Sequence, residues 1–585
     1  MILSTLALSL ILFAQQDPGQ WLYKDFFHLG NDECPEWTEA SLLPDGTAFE
    51  IDFNAKENKR ELCLQLTQRH VDDNWAIKIN GQIIAQLEHT TDPKIVFFPV
   101  PANTLKSGQN HLSITTDRIG DDIVVGKIRL LEQSYREKFG VRPIQILVRD
   151  AKGNKPLPAR ITIADADGKL APLYYPMQTK VPNRPGIAYT DMNGKATLEI
   201  GAGTWSIWAS RGMEWGVDSA TLTIAASAPQ PIGLTLKREV DTAGYVASDT
   251  HIHTVTASGH GDATTWERVH SLAGEGVELA IATDHNHHMD YRPLQKEIGA
   301  NPFYTPVIGN EVTTNWGHFN AFPFAENAVI PDHGLNEWMP LVADIRKKGA
   351  EVIILNHPRW PNFEGGPFGK KLGGLNRETG QFTVPMSDLG IDGVEIFNST
   401  TAVTSWEEVL LDWFSLLNRG HRFFGVGSSD SHTVGDSVGQ GRTYVRGSDR
   451  NPARIDIKEM CHSFVSGQTS MSLGIYIEAK INGKAPGKRS LVQAQHKADL
   501  SIRVAAASWA DVNSITLYAN GIAVDSVQIE NSESPIDFTW EPEFVLKVDA
   551  WLVAVAEGDK PQEPFWQSLV ANLGAVTNPI WFSAD

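Results

Sequence analysis

Five apolar runs in the middle of the chain restrict its fold more than any other feature. VELAIATDH (277–285), TPVIGNE (305–311), EVIILNHP (351–358), DGVEIFN (392–398) and RFFGVGSSDSH (422–432) each end in a polar cluster. Between them lie amphipathic stretches with helix-end signals. Thr264 to Glu267 and Ser405 to Glu408 fit the capping box, and DIRKKG puts cations in a last helical turn with Gly349 beyond. Strands alternating with helices predict a parallel sheet. Buried strands with polar C-terminal ends are what a β/α barrel needs at its active face.

Histidine placement sharpens this expectation. Twelve of the 18 histidines fall between residues 251 and 432, against roughly six for an even spread. His251 and His253, His285, His357 and His432 all sit where an apolar run ends. In THIHT the i, i+2 spacing on a strand turns both imidazoles to one face, the arrangement two ligands of one ion need. A lone histidine at a strand end is more often a hydrogen-bonded structural residue. A succession of strand ends bearing His, Asp or Glu points instead to a metal site.

The order HxH, TDH, GNE, NHP and SDSH resembles the PHP (polymerase and histidinol phosphatase) superfamily, within it the carbaryl-hydrolase-like branch, over roughly residues 245 to 470. The resemblance implies a distorted (β/α)7 barrel, and two or three divalent ions of zinc, manganese or iron. His251, His253, Glu311 and Asp430 would hold the first ion. Glu311 would bridge to a second on His318 and His357, and His285 and His432 would hold a third. SGHGD offers both His260 and Asp262 for the remaining position, with imidazole favoured for a borderline ion. Asp249 and Asp284 are read as residues that orient the ligands, and His287 and His288 as loop residues.

The implied reaction is hydrolysis by a metal-bound hydroxide, with Glu311 and Asp430 at its centre, on a phosphoester or alternatively on a carbamate, ester or amide. A third reading keeps the metals without turnover, in a scaffold or glycan-binding protein. The substrate in either enzyme reading is a small molecule. The Gly-rich stretch RWPNFEGGPFGKKLGGLNRETGQF reads as a loop over the barrel mouth. It offers Arg359, Lys370 and Lys371 to a phosphate, and Trp360, Phe363 and Phe368 to an apolar pocket. Asn398 would line either pocket.

The flanks have β texture, as 585 residues require several domains. Residues 20–135, including DNWAIKINGQIIAQL, resemble a galactose-binding-like jelly roll. Residues 141–237 read as an immunoglobulin- or transthyretin-like unit with a hairpin around Asn193-Gly194, 241–471 as the barrel, and 473–585 as a C-terminal sandwich. These sandwiches could hold glycan or a cell surface. Residues 1–14 resemble a signal peptide, which implies a secreted or periplasmic protein and would allow Cys34 and Cys63 to pair. A net charge of −20 argues against nucleic acid, and no run approaches the ~20 apolar residues of a membrane span.

Overall fold

The computed structural model describes residues 19–30, 43–71, 75–88, 90, 93–116, 122–175, 180–225, 231–383, 389–401, 404–448, 451–483, 485, 487, 491–493, 499–530, 534–543, 548–566, 568, 570 and 572–583. The leader-like segment and Cys34 lie outside them, and with Cys34 the proposed pairing; Cys63 is buried. No helix among the described residues is long and apolar enough to cross a membrane.

Residues up to Val141 form one compact unit. Two four-stranded antiparallel sheets face each other across a core that includes Leu64, Leu66, Trp75, Ile77, Phe98, Leu112 and Ile114. Strand alternation drives this packing: in Leu62–Arg69 and Ala76–Ile79 every second side chain is buried on the shared face.

The second unit, from Arg142 onward, begins with a smaller β region. The turn at Asn193-Gly194 forms, with Asp191 accepting hydrogen bonds from the amides of Asn193 and Lys195, but it does not close a hairpin. Ile187–Tyr189 pairs with Arg160–Ala164, whereas Lys195–Ile200 pairs with Arg142–Asp150 in another sheet. A turn residue specifies a chain reversal; which strands then pair is set by the faces they bury.

The middle region departs from the expected barrel. Tyr245–Asp249, Leu279–Ala282 and Thr305–Ile308 are parallel neighbours, but Tyr245–Asp249 then pairs antiparallel with Gly441–Arg446. A second sheet orders Asn310–Thr314, Gly317–Phe322, Val352–Leu355, Gly393–Asn398 and Phe424–Ser428, its first two pairings antiparallel. Among the described residues, the isolated backbone bridges His285↔Glu311 and Ile252↔Ser431 join strand ends of the two sheets. With 44% strand and 12% helix, the protein is mostly β, and the described residues form no closed (β/α)7 barrel; that fold expectation is corrected.

Two local causes account for the difference. The run TPVIGNE is split at Gly309, whose Cα lies so near the preceding strand that a Cβ would come within 2.8 Å of Ala282 O. Asn310–Thr314 then folds back on Gly317–Phe322 as a β-hairpin, ahead of the Trp338–Lys347 helix that DIRKKG closes as expected. The boundary at 471–473 is likewise not a break. Thr469–Leu473 pairs with Gly441–Arg446 on one side and with Asn572–Thr577 on the other, so the C-terminal strands continue the same eleven-stranded sheet.

The Thr264–Glu267 capping box forms at the start of Thr265–Gly274. Ser405 precedes Trp406–Asn418 but makes no side-chain cap bond.

Candidate metal centre

Strand ends from both sheets converge on one carboxylate. Glu311, fully buried, presents Oε1 to His251 Nε2 at 3.0 Å, His318 Nδ1 at 3.2 Å and His357 Nε2 at 3.4 Å. Its Oε2 faces His285 Nδ1 at 2.6 Å and His253 Nε2 at 3.6 Å. Asp430 Oδ1 lies 3.2 Å from both His251 Nε2 and His253 Nε2, and 3.6 Å from His432 Nδ1. His260 completes the group, its ring 4.4 Å from that of His432 and its Nε2 3.4 Å from His285 Nε2. All nine residues expected to hold metal are thus brought together. Asp262 has another use: it takes Arg184 Nε at 2.9 Å and the Val434 amide at 2.7 Å.

Hydrogen bonds behind the rings settle which nitrogen faces inward. Ser258 donates its hydroxyl proton to Asp284, so its oxygen accepts from His253 Nδ1–H, and Nε2 is left with a bare lone pair. His432 Nδ1–H donates to the Asp430 carbonyl at 2.9 Å, with the same consequence for its Nε2. His251 turns Nδ1 to Glu395 at 2.8 Å and Nε2 to Glu311 and Asp430. Asp249 accepts from the amides of His251, Ser429 and Gly439, which places the start of the HxH segment.

The donor set fits cations. His253 Nε2, His432 Nε2, Glu311 Oε2 and Asp430 Oδ1 are buried and satisfy no hydrogen bond among the described residues, although some approach one another closely. Each such atom costs about 1–3 kcal/mol if left without a partner. Four overlapping groupings that draw on all but His260 of the expected ligands lie within ligand range: His253 with His285 and His432, His251 with His357 and Asp430, His251 with His253 and Glu311, and Glu311 with His285 and His318. The local backbone also conforms to the site. Asp430 and His357 have φ of 58° and 23°, a region that non-glycine residues adopt at a cost near functional centres.

Electrostatics divide the rings into two sets. Burial, with His432 and His285 nearby, holds His253 well below the ordinary imidazole range, and burial beside His260 and His285 does the same for His432. For His251, burial is outweighed by Asp430, Glu395 and Glu311, and the ring is raised well above that range. His357 is raised too: burial opposes, but Glu311 and Asp430 prevail.

Sequence reasoning missed Glu395. It is buried in the Gly393–Asn398 strand, where it takes His251 Nδ1, the Ser428 hydroxyl and the His357 amide. A carboxylate inside the apolar run GVEIF was the available signal. Asn356, which donates to Glu311 Oε1 at 2.8 Å, was also overlooked. Asn398 donates to Glu395 and to Asp430 Oδ2, so it braces the cluster. His287 is exposed, whereas His288 stacks on Phe324.

Arg359 is not available as an anion anchor. Its Nε and Nη2 bind Asp412, Nη1 donates to the Phe363 carbonyl at 2.6 Å, and the guanidinium covers the Phe363 ring at 4.0 Å. Asp412 is fully buried and also takes Arg377. Arg359→Ala is therefore expected to cost roughly 3–5 kcal/mol by leaving the buried Asp412 with Arg377 as its one remaining guanidinium partner among the described residues, with metal content unchanged. Urea unfolding and metal analysis on the same sample check both halves. Lys370 pairs with Glu364 at the surface, and Phe368 is buried in the core. Trp360 alone of the loop aromatics stands beside the cluster, its ring 5.7 Å from His357 and 5.9 Å from His318.

No family model matches the chain, and no curated protein matches it. Solved structures that match include β-glucuronidases and a member of glycosyl hydrolase family 2. An FMN-binding β-glucuronidase from Faecalibacterium prausnitzii L2-6 is 10% identical, with 97% of this chain and 98% of that chain covered and a TM-score of 0.17. A family 2 member from Bacteroides cellulosilyticus DSM 14838 is 10% identical over 97% and 84%, TM-score 0.17. A β-glucuronidase from Bacteroides uniformis is 10% identical over 97% and 80%, TM-score 0.19. TM-scores this low place no substrate or mechanism on this chain. The expectation of PHP membership is corrected: no family model and no curated protein matches the chain, so nothing beyond the motif order supports it. The phosphoester and carbamate, ester or amide readings rested on that resemblance and are withdrawn with it, as is the metal-bound hydroxide mechanism taken from the family.

Proposed function

We propose that this chain is an enzyme acting on a small molecule at a centre of two or three divalent cations, zinc, manganese or iron. The observation that carries the reading is the set of four buried, unsatisfied donor atoms on His253, Glu311, Asp430 and His432. Neutral hydrogen bonding within the chain leaves them facing one another, and cations shared among them would satisfy all four. Imidazole and carboxylate ligands suit all three metals.

The cluster is open on one side, which favours an enzyme over a purely structural site. His251, His253 and Glu311 are wholly buried, but His285, His318 and His432 keep 18%, 17% and 14% of their side chains exposed. Trp360, 40% exposed, stands at that side and offers an aromatic face to whatever enters. Bound cations would supply Lewis-acid polarisation of a ligand oxygen. The chain's own part is to hold nine ligand side chains together, His253 and His432 in fixed tautomers, to brace them through Glu395, Asp249 and Asp284, and to leave His285, His318 and His432 reachable.

The test is metal analysis of the purified full chain after loading with zinc or manganese and removal of free ion. Two or three equivalents per chain are expected, falling below one in the double variant His251→Ala/Asp430→Ala. Less than one equivalent in the unsubstituted protein would refute the reading.

A further inference from the structure

We propose that the small β region between Arg142 and Leu236 is a working part of the metal centre, with Arg184 as a positioning residue that acts through Asp262 on the loops bearing His260 and His432. The inference deepens the metal-centre reading above and rests on it.

The two loops are laced together before Arg184 acts. Asp262 and Ala263 both donate their amides to the His432 carbonyl at 3.2 Å, and the Val434 amide returns to Asp262 Oδ1 at 2.7 Å. Gly261 has φ of +79°, and a Cβ there would fall 2.3 Å from the His432 carbonyl oxygen, so the backbones touch. His260 and His432 are therefore set as a pair.

Arg184 grips this pair from the β region. Its Nε donates to Asp262 Oδ2 at 2.9 Å and Nη2 to the Asp262 carbonyl at 2.8 Å, while Nη1 donates to Glu267 Oε1 at 2.8 Å. The planar fork thus bridges the loop to the first turn of the Thr265–Gly274 helix, a geometry a lysine cannot reproduce. A second point of contact supports the same assignment. Tyr189, from the adjoining strand, is fully buried in an apolar cluster with Ala263 and Val434, one residue from each loop. Its hydroxyl donates to Glu275 at 2.8 Å, and Arg160 donates to the Gly435 carbonyl at 2.6 Å.

These contacts reach only one end of the cluster. His253, His285 and His432, with His260 beside them, form the grouping next to the clamped loops; the His251, His357 and Asp430 grouping is braced by Glu395 and Asn398. Loss of Arg184 should then weaken one metal position selectively.

The full chain and the variants Arg184→Met, Asp262→Asn and Glu267→Gln are loaded with zinc, competed against a chelator, and measured for metal per chain and for melting temperature. Arg184→Met and Asp262→Asn are expected to bind one equivalent roughly 10- to 100-fold more weakly, the usual effect of removing a residue that orients ligands, while the remaining ions stay. Glu267→Gln, which keeps the Asp262 contact, should lower the melting temperature without changing the metal count. Should Arg184→Met fail to fold, Asp262→Asn, which still accepts from Val434, decides. Retention of every ion at unaltered affinity in both variants would overturn the proposal, and so would an equal loss at all positions. An unsubstituted chain that binds no zinc would instead overturn the metal reading itself and this inference with it.

Discussion

Glu311→Ala is expected to abolish metal binding at more than one position and to destabilise the metal-free chain as well. The carboxylate lies within 3.6 Å of nitrogens on five histidines, and two of the candidate ion groupings include it. Its loss leaves those rings facing one another in a buried site, a situation that costs about 3–5 kcal/mol when one partner of a buried ionic network is removed. Burial alone would raise this carboxyl, but His318, His285 and His251 hold it well below the usual range, so it is an anion wherever the protein is folded near neutral pH. Glu311→Gln separates the charge from the shape: the amide can still accept from Asn356, but it cannot bridge cations. Metal analysis and urea unfolding of both variants are the measurements. A Gln variant that keeps every ion would show that Glu311 is a hydrogen-bond acceptor and nothing more.

Removal of metal from the native chain is the second large effect. At a free-ion concentration about a thousand times the dissociation constant, each occupied position adds roughly 4 kcal/mol to folding stability, and chelation withdraws it. The effect should grow with pH. His251 and His357 are raised by Asp430, Glu395 and Glu311, so in the metal-free protein their protonated forms stabilise the fold at low pH, and that contribution is lost as pH climbs through the raised values. Cations require both rings neutral, so loading must expel those protons and becomes more favourable over the same interval. His253 and His432 are already neutral and release nothing. Melting curves of loaded and chelated protein between about pH 5 and pH 8 should therefore diverge as pH rises. A constant gap would contradict the assignment of protons to His251 and His357.

The candidate site was more legible in the sequence than the fold around it. THIHT, TDH, GNE, NHP and SDSH mark side chains that the structure does gather, because a short apolar strand ending in a ligand side chain is a local pattern with a period of two. Arg359 shows the limit of that reading. A cation in a Gly-rich loop beside a site suggests an anion anchor, yet Asp412, 53 residues away on the Trp406–Asn418 helix, binds it in the interior. Glu395 shows the converse, since its part is visible only once His251, Ser428 and the His357 amide surround it.

The sequence by itself determined the imidazole and carboxylate character of the cluster, the acidic net charge, the β texture of the flanks and the strand ends at which histidines stand, since each depends on residue type and short spacing. The tertiary structure alone decided that those strands lie in two sheets, that Gly309 sends TPVIGNE into both, that one sheet continues into the C-terminal strands, and that Arg184 reaches Asp262 across 78 residues of chain. Periodicity specifies which face of a strand is buried. It does not specify the neighbour against which that face is buried, because pairing is chosen by the free energy of the whole core, to which residues remote in sequence contribute as much as adjacent ones.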